Sequence, residues 1–311
     1  KGLMRQAIER LHSGGSTAGA AGIRRSSQLA RASFHQGGAN RVILATDGDV
    51  IVGVASEGEL VRLIERERES GVFLTVMGFG TGNLQDAKME QLADHGNGQF
   101  LYIDSILEAR RALVEQIGGT LVTVAKDVKI QVEFNPERVR RYRLIGYENR
   151  RLEDEDFRDD KKDAGDMGAG HSVVALYEIE PERGQSGDAE PLRYQQPEPT
   201  RQARRSGELL HVKVRYKPPT EDESRLMHAP VQDADVPVEQ ASRNLRWAAA
   251  VAQFGMLLRD SNHRGEASWE SAAELARGAM GEDKGGDRAE FVYLLKTASK
   301  LEGARTTSNL R

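Results

Sequence analysis

The sequence predicts an α/β fold: a parallel-sheet domain followed by an α+β domain with an antiparallel β part and C-terminal helices. Three observations carry this. Short continuous apolar runs alternate with helical patterns as far as Gly118-Gly119; apolar residues then recur at every second position from Leu121; and helical spacing returns from Glu239. Alternating strands and helices imply a mainly parallel sheet covered on both faces, whereas period two marks strands with one buried face. At 311 residues the chain is long enough for two domains of ordinary size, expected over 1–119 and 120–311.

Leu3, Met4, Ala7, Ile8 and Leu11 recur at helical spacing, and Ser13-Gly14-Gly15 stops that helix. A second helix spans about Ala18 to Phe34. Val42-Ile43-Leu44-Ala45 is a short apolar run of the kind found in a strand covered on both faces, ending at Thr46-Asp47-Gly48-Asp49. The alternation continues with a helix over Glu59–Glu69, a strand over Val72–Met77, a helix over Gln85–Asp94, a strand over Gln99–Ile103 and a helix over Ile106–Ile117. Three strands make a thin sheet for so many helices. Ligands in such sheets sit at the carboxyl ends of the strands, the position of Asp47.

In the second part, Val122, Val124, Val128, Ile130, Val132 and Phe134 fall at spacing two, and strands are expected over Leu121–Phe134, Val139–Tyr147, His171–Glu180 and Leu210–Lys217. Antiparallel pairing of these would give a small sandwich or curled sheet. Glu153–Asp166 holds eight acids and three bases without the spacing of a calcium loop, so a solvated loop is expected. Glu182–Glu208, rich in Gln, Pro, Gly and Arg, reads as a mobile excursion. Helices follow over Glu239–Leu258, Ser268–Ala279 and Asp287–Leu301, with small Ala residues permitting close packing.

Composition excludes several chemistries. With no Cys there are no disulfides, thiolate zinc sites, iron–sulfur clusters or cysteine nucleophiles. A net charge of -4 from 44 basic and 48 acidic side chains gives little support for nucleic-acid binding. No run approaches the roughly 20 apolar residues of a membrane span. The opening Lys1-Gly2-Leu3-Met4 suggests a start inside a longer protein, with any targeting segment upstream. Gly78-Phe79-Gly80-Thr81-Gly82-Asn83 follows a strand, but Asn83 stands where a dinucleotide fingerprint needs its last glycine. The seven histidines are scattered, with no His-Glu-x-x-His spacing, and His171 is read as structural. No small-molecule substrate is inferred.

Gly14-Gly15-Ser16-Thr17, the strand ending Leu44-Ala45-Thr46-Asp47-Gly48-Asp49, Gly78-Phe79-Gly80 and Asn97-Gly98-Gln99-Phe100-Leu101-Tyr102-Ile103 together resemble the second half of a von Willebrand factor type A domain. The resemblance is to the bacterial subfamily with an associated C-terminal domain. That domain is matched by Ala125–Pro136, Tyr142–Arg150 and Asp163–His171. The resemblance implies a Rossmann-like sheet lacking its first half, with an open apolar side where strands are missing. It also implies a metal-ion-dependent adhesion site holding Mg²⁺ or another divalent cation, fed by an Asp-x-Ser-x-Ser loop, a Thr and an Asp. Thr17 and Asp47 match the last two; the first has no counterpart before Thr17, so the site is incomplete and should be weak or empty in this chain. Ser16 and Asp49 are neighbouring binding candidates. Read without the resemblance, Thr17 is a helix cap and Asp47 a turn residue.

The resemblance implies a non-enzymatic protein-binding or scaffold protein of the bacterial cell envelope, periplasmic or lipid-anchored, whose full-length form recognises an unidentified protein partner through its metal. The alternative is a regulatory subunit of an ATPase or channel-like assembly.

Overall fold

The computed structural model describes residues 2–10, 19–47, 57–80, 84–116, 118–119, 122–147, 151–160, 162, 164–182 and 199–308. The chain divides into two compact units. Lys1–Gln131, Glu153–Ser172 and Lys213–Met227 form the first; Val132–Leu152, Val173–Val212 and His228–Arg311 form the second.

The first unit opens with α1 (Gly2–Glu9), α2 (Gly19–Ala32), β1 (Arg41–Thr46), α3 (Glu57–Glu69), β2 (Phe73–Phe79), α4 (Asp86–His95), β3 (Phe100–Ile103) and α5 (Ile106–Arg110). The strands pair in parallel in the order β1-β2-β3, with Arg41 opposite Phe73 and Val76 opposite Phe100. This is the parallel α/β sheet that the apolar runs predict. Strand periodicity splits β2 between two cores. Leu74 and Val76 pack with Ile23 of α2, Leu60 and Ile64 of α3, and Met89 and Leu92 of α4. Met77 and Phe79 pack with Ile103 and Ala112. β1 lies at the edge, where Ile43 is 40% exposed. The helix expected over Ile106–Ile117 is an α-helix, α5, to Arg110 and continues as a π-helix over Arg111–Glu115, with Ala112 buried; Ile117 lies outside the described residues.

The β part consists of β4 (Thr123–Phe134), β5 (Val139–Ile145), β6 (Gly165–Gly168), β7 (Leu176–Pro181), β8 (Glu208–Lys217) and β9 (Arg225–Gln232). It forms a four-stranded sheet in the order β6-β4-β8-β9 and a separate antiparallel pair, β5-β7. Two strands escape the period-two pattern. β6 is four residues of Gly-Asp-Met-Gly, too short to alternate, and β9 carries Pro230, which lacks the N–H of a central strand. The strand expected over His171–Glu180 begins only at Leu176, because Gly170 turns the chain at a φ of 82° and the His171 N–H closes the turn onto the Gly168 carbonyl. The strand expected to reach Tyr147 stops at Ile145, where Gly146 and Tyr147 both adopt positive φ.

In the second unit Phe134 stacks on Tyr142 and meets Tyr177 edge-on, which fixes the β5-β7 pair around an aromatic core. The excursion expected over Glu182–Glu208 contains a helix, α6 (Arg201–Ser206), capped by Thr200 and ended by Gly207 at a φ of 69°. Asn135 pins it by donating to the carbonyls of Ala203 and Glu208 at 2.8 and 2.7 Å. Residues 183–198 of that stretch lie outside the described residues.

The helices α7 (Arg243–Leu258), α8 (Trp269–Gly278) and α9 (Asp287–Ser308) close the chain. Ser242 and Ser268 cap α7 and α8, so α7 starts later than the expected Glu239. Ala250, Ala272, Ala273 and Ala276 are buried where the helices meet, with Leu295, and Phe254 lies edge-on to both Trp269 and Phe291. Small side chains bring the backbones close while the aromatic rings supply the buried area. Asp283 sits ahead of α9 and accepts the Arg288 and Ala289 N–H groups, which holds its carboxyl below the usual range through the Ala289 bond first.

A steric test follows from the parallel sheet. A Cβ at Gly98 would lie 1.7 Å from the Leu74 carbonyl oxygen, whereas one at Gly22, on the exposed side of α2, would meet nothing within 4 Å. Gly98→Ala should destabilise the first unit by about 1–3 kcal/mol through forced backbone displacement. Gly22→Ala should stabilise it by roughly 0.5–1 kcal/mol. Urea unfolding of both variants checks the opposite signs.

Candidate functional site

Both ends of the parallel sheet carry polar groups, and they differ in chemistry. At the carboxyl end, Thr46 is buried and Asp47, the residue after β1, is exposed. Tyr102 of β3 donates to the Gly80 carbonyl at 3.0 Å, tying the β3 end to the turn after β2. Of the residues read from the sequence as a metal site, only Asp47 falls within the described structure; Ser16, Thr17 and Asp49 lie outside it. The loop Gly78–Asn83 is described only to Gly80.

At the opposite end lies an ionic cleft of about 410 Å³, lined by Arg68, Glu69, Gly71, Phe73, Asn97, Lys126, Asp127, Asp160, Asp166, Lys217 and Asp222. Its origin is a bulge in β4. Ala125 pairs with Met167 and Val128 with Gly165, so three steps along β4 match two along β6. Asp127 takes the strain at a φ of 54°, a left-handed conformation that Asp tolerates better than most residues. The predicted alternation does not hold along this part of β4: Val124 and Ile130 are 47% and 42% exposed, while Asp127 and Lys129 are buried. Lys129 ranks among the largest fully buried side chains of the described structure.

A buried charge must be met by opposite charge and hydrogen bonds. The Asp127 carboxylate lies 3.0 Å from the Lys217 ammonium and 3.5 Å from that of Lys129. Lys129 donates to the Asp159 carbonyl at 2.6 Å, and Lys217 to the Asp160 carbonyl at 2.7 Å. The Asp160 carboxylate accepts from Ser224 at 2.7 Å and from Arg215 at 3.1 Å. Asp166 accepts the Asp127 N–H at 3.1 Å. The acidic stretch keeps Glu153, Asp154, Glu155, Asp159 and Asp160 exposed, as the solvated-loop expectation has it, while Phe157 within it is buried and the carbonyls of Asp159 and Asp160 receive the two lysines. Arg41 donates to the buried Thr75 hydroxyl at 2.8 Å; burial pushes its guanidinium down in pKa, and the Asp166 charge opposes that.

His171, read as structural, has its Nδ1 3.0 Å from the Gln99 amide nitrogen, and Gly119 packs against the ring so closely that a Cβ there would lie 2.4 Å from Nε2. Among the described residues no group of three or more His, Asp or Glu side chains is placed to hold a metal ion. In the cleft, carboxylates alternate with ammonium and guanidinium groups, so its geometry serves mutual neutralisation.

A family model described as "Uncharacterized protein YfbK, C-terminal" matches residues 119–301, more than half of the chain. This chain belongs to that family. The matched residues cover the second part of the chain, and the parallel α/β sheet lies ahead of them. A curated relative, "Uncharacterized protein YfbK" of Escherichia coli (strain K12), is 40% identical over 298 residues, covering 96% of this chain and 51% of the relative. The chain thus spans about half the length of the curated relative it matches. A solved structure, "von Willebrand factor type A from Catenulispora acidiphila", aligns at 18% identity with a TM-score of 0.44, over 94% of this chain and 65% of that one. No described helix is long and apolar enough to cross a membrane.

Two tests address the YfbK-type ionic cluster. Asp127→Asn removes the charge shared by Lys129 and Lys217 and should cost about 3–5 kcal/mol in chemical denaturation. Arg225→Gln, which breaks an exposed pair with Glu221, should cost less than about 1 kcal/mol. Separately, the Ser224 hydroxyl, followed by Arg215, holds the Asp160 carboxyl below its ordinary 3.8. A depressed carboxyl contributes stability that is present above the unfolded pKa and is lost as pH falls through the lower folded value. Carboxyl NMR titration should place the Asp160 midpoint below 3.8, with Ser224→Ala moving it upward.

Proposed function

We propose that this chain is the type A and YfbK-type portion of a non-enzymatic protein-binding or scaffold protein of the bacterial cell envelope, and that the full-length form recognises a protein partner through a divalent cation. One observation carries the reading: β1 is an edge strand of a parallel sheet, and Asp47 is exposed directly beyond its carboxyl end. That is where parallel sheets present their ligands. The family's type A, protein-interaction architecture supports the recognition role.

Asp47 offers a single carboxylate, and among the described residues no three-donor cluster joins it. Mg²⁺ takes six oxygens in near-octahedral geometry, so the described residues do not fit it by themselves. No step is therefore derived through a metal. In a longer protein, an upstream Asp-x-Ser-x-Ser loop would add the missing oxygens and Thr17 a hydroxyl, with Ser16 and Asp49 alongside. An open coordination position could then accept a partner carboxylate.

Isothermal titration with Mg²⁺ or Mn²⁺ should show no tight site in this chain and a measurable one in a longer chain restored through that loop. Asp47→Ala should weaken the restored site by roughly tenfold or more, since it removes a ligand outright. Equal affinity in the two chains would overturn the assignment. Fractionation of cells producing the full-length protein should recover it with the envelope; recovery in the soluble cytosol alone would overturn that part.

A further inference from the structure

The histidines are scattered in sequence, but the fold sets two of them side by side. His211 lies on β8 and His228 on β9, adjacent strands of the four-stranded sheet. Their rings stand edge to face, with centroids 5.5 Å apart and planes at 83°. His228 is exposed and His211 half-buried, so solutes can reach the pair.

We propose that His211 and His228 form a two-imidazole site for a borderline transition-metal ion such as Cu²⁺, Ni²⁺ or Zn²⁺. An imidazole nitrogen binds such an ion at about 2.0–2.1 Å, with the ring centre roughly 1 Å behind the nitrogen, so two imidazoles on one tetrahedral ion hold their centroids about 5 Å apart. The observed separation of 5.5 Å is close to that. Hydrogen-bonded strands hold the two backbones in place, so little ordering accompanies binding.

The donor type decides the ion. Two neutral nitrogens suit Cu²⁺, Ni²⁺ and Zn²⁺, with Cu²⁺ tightest, and are poor ligands for Mg²⁺ or Ca²⁺, which take oxygen. With two protein donors and solvent access, the site is exchangeable and leaves coordination positions for solvent or a partner's side chain. It uses different residues and different ligand chemistry from the oxygen site proposed at Asp47, so either can fail without the other.

The test is titration of the tag-free chain with CuCl₂ and NiCl₂ at neutral pH, where imidazole is largely deprotonated. One ion should bind per chain, and the electron paramagnetic resonance spectrum of the Cu²⁺ complex should show coupling to two nitrogens. His211→Gln or His228→Gln should each weaken binding by about tenfold or more, with circular dichroism unchanged. His263→Gln, on an exposed loop, should leave binding as it was. Undiminished binding in the doubly substituted chain, or no saturation into the millimolar range, would overturn the proposal.

Discussion

The buried charge cluster around Asp127 is the constraint on which the first unit's irregular half depends. Burying Lys129 would be strongly unfavourable alone, and the chain meets it with Asp127 across one strand residue and the Asp159 carbonyl from the acidic stretch. The carbonyls of Asp159 and Asp160 meet Lys129 and Lys217, and Asp166 accepts the Asp127 N–H. Lys217, Arg215 and Ser224 then complete the circuit from β8 and the turn beyond it. Such a network adds little net stability over an apolar core, but it is costly to break and admits few alternative registers for β4.

The parallel sheet has a different logic. Its central strand is buried on both faces, so β2 is apolar except for Thr75, whose hydroxyl accepts from Arg41, and its pairing is fixed by packing. The close run of Gly96–Gln99 along β2 requires glycine at Gly98, where the backbone passes the Leu74 carbonyl with no room for a side chain. Among the described residues β1 pairs with β2 alone, and Ile43 and Asp47 are exposed. An exposed strand with polar chemistry at its carboxyl end is the feature that makes recognition the functional reading.

The helices of the second unit were legible in detail because their signals are local. Ser268 with Ser271 three residues on forms a capping box, and the Ala-rich spacing of α7 and α8 marks the contact faces. Ser242 is equally a local signal, and it explains why α7 begins after the expected Glu239. The aromatic trio Phe254, Trp269 and Phe291 could be assigned to buried faces by helical period, but not to one another.

The sequence by itself determined the alternation of strands and helices, the parallel character of the first sheet, the approximate helix ends and the lack of thiol chemistry. Each follows from periodicity, capping or composition, properties of neighbouring residues. Only the tertiary structure decided the inward turn of Asp127 and Lys129, the burial of Phe157 beside an exposed acidic stretch, the split of the β part into two sheets and the meeting of His211 with His228. Period-two reasoning cannot see the register shifts of β4 against β6, because an extra residue exists only relative to a partner strand. Cross-strand neighbours far apart in sequence are likewise set by register, which is a property of the pair and not of either strand.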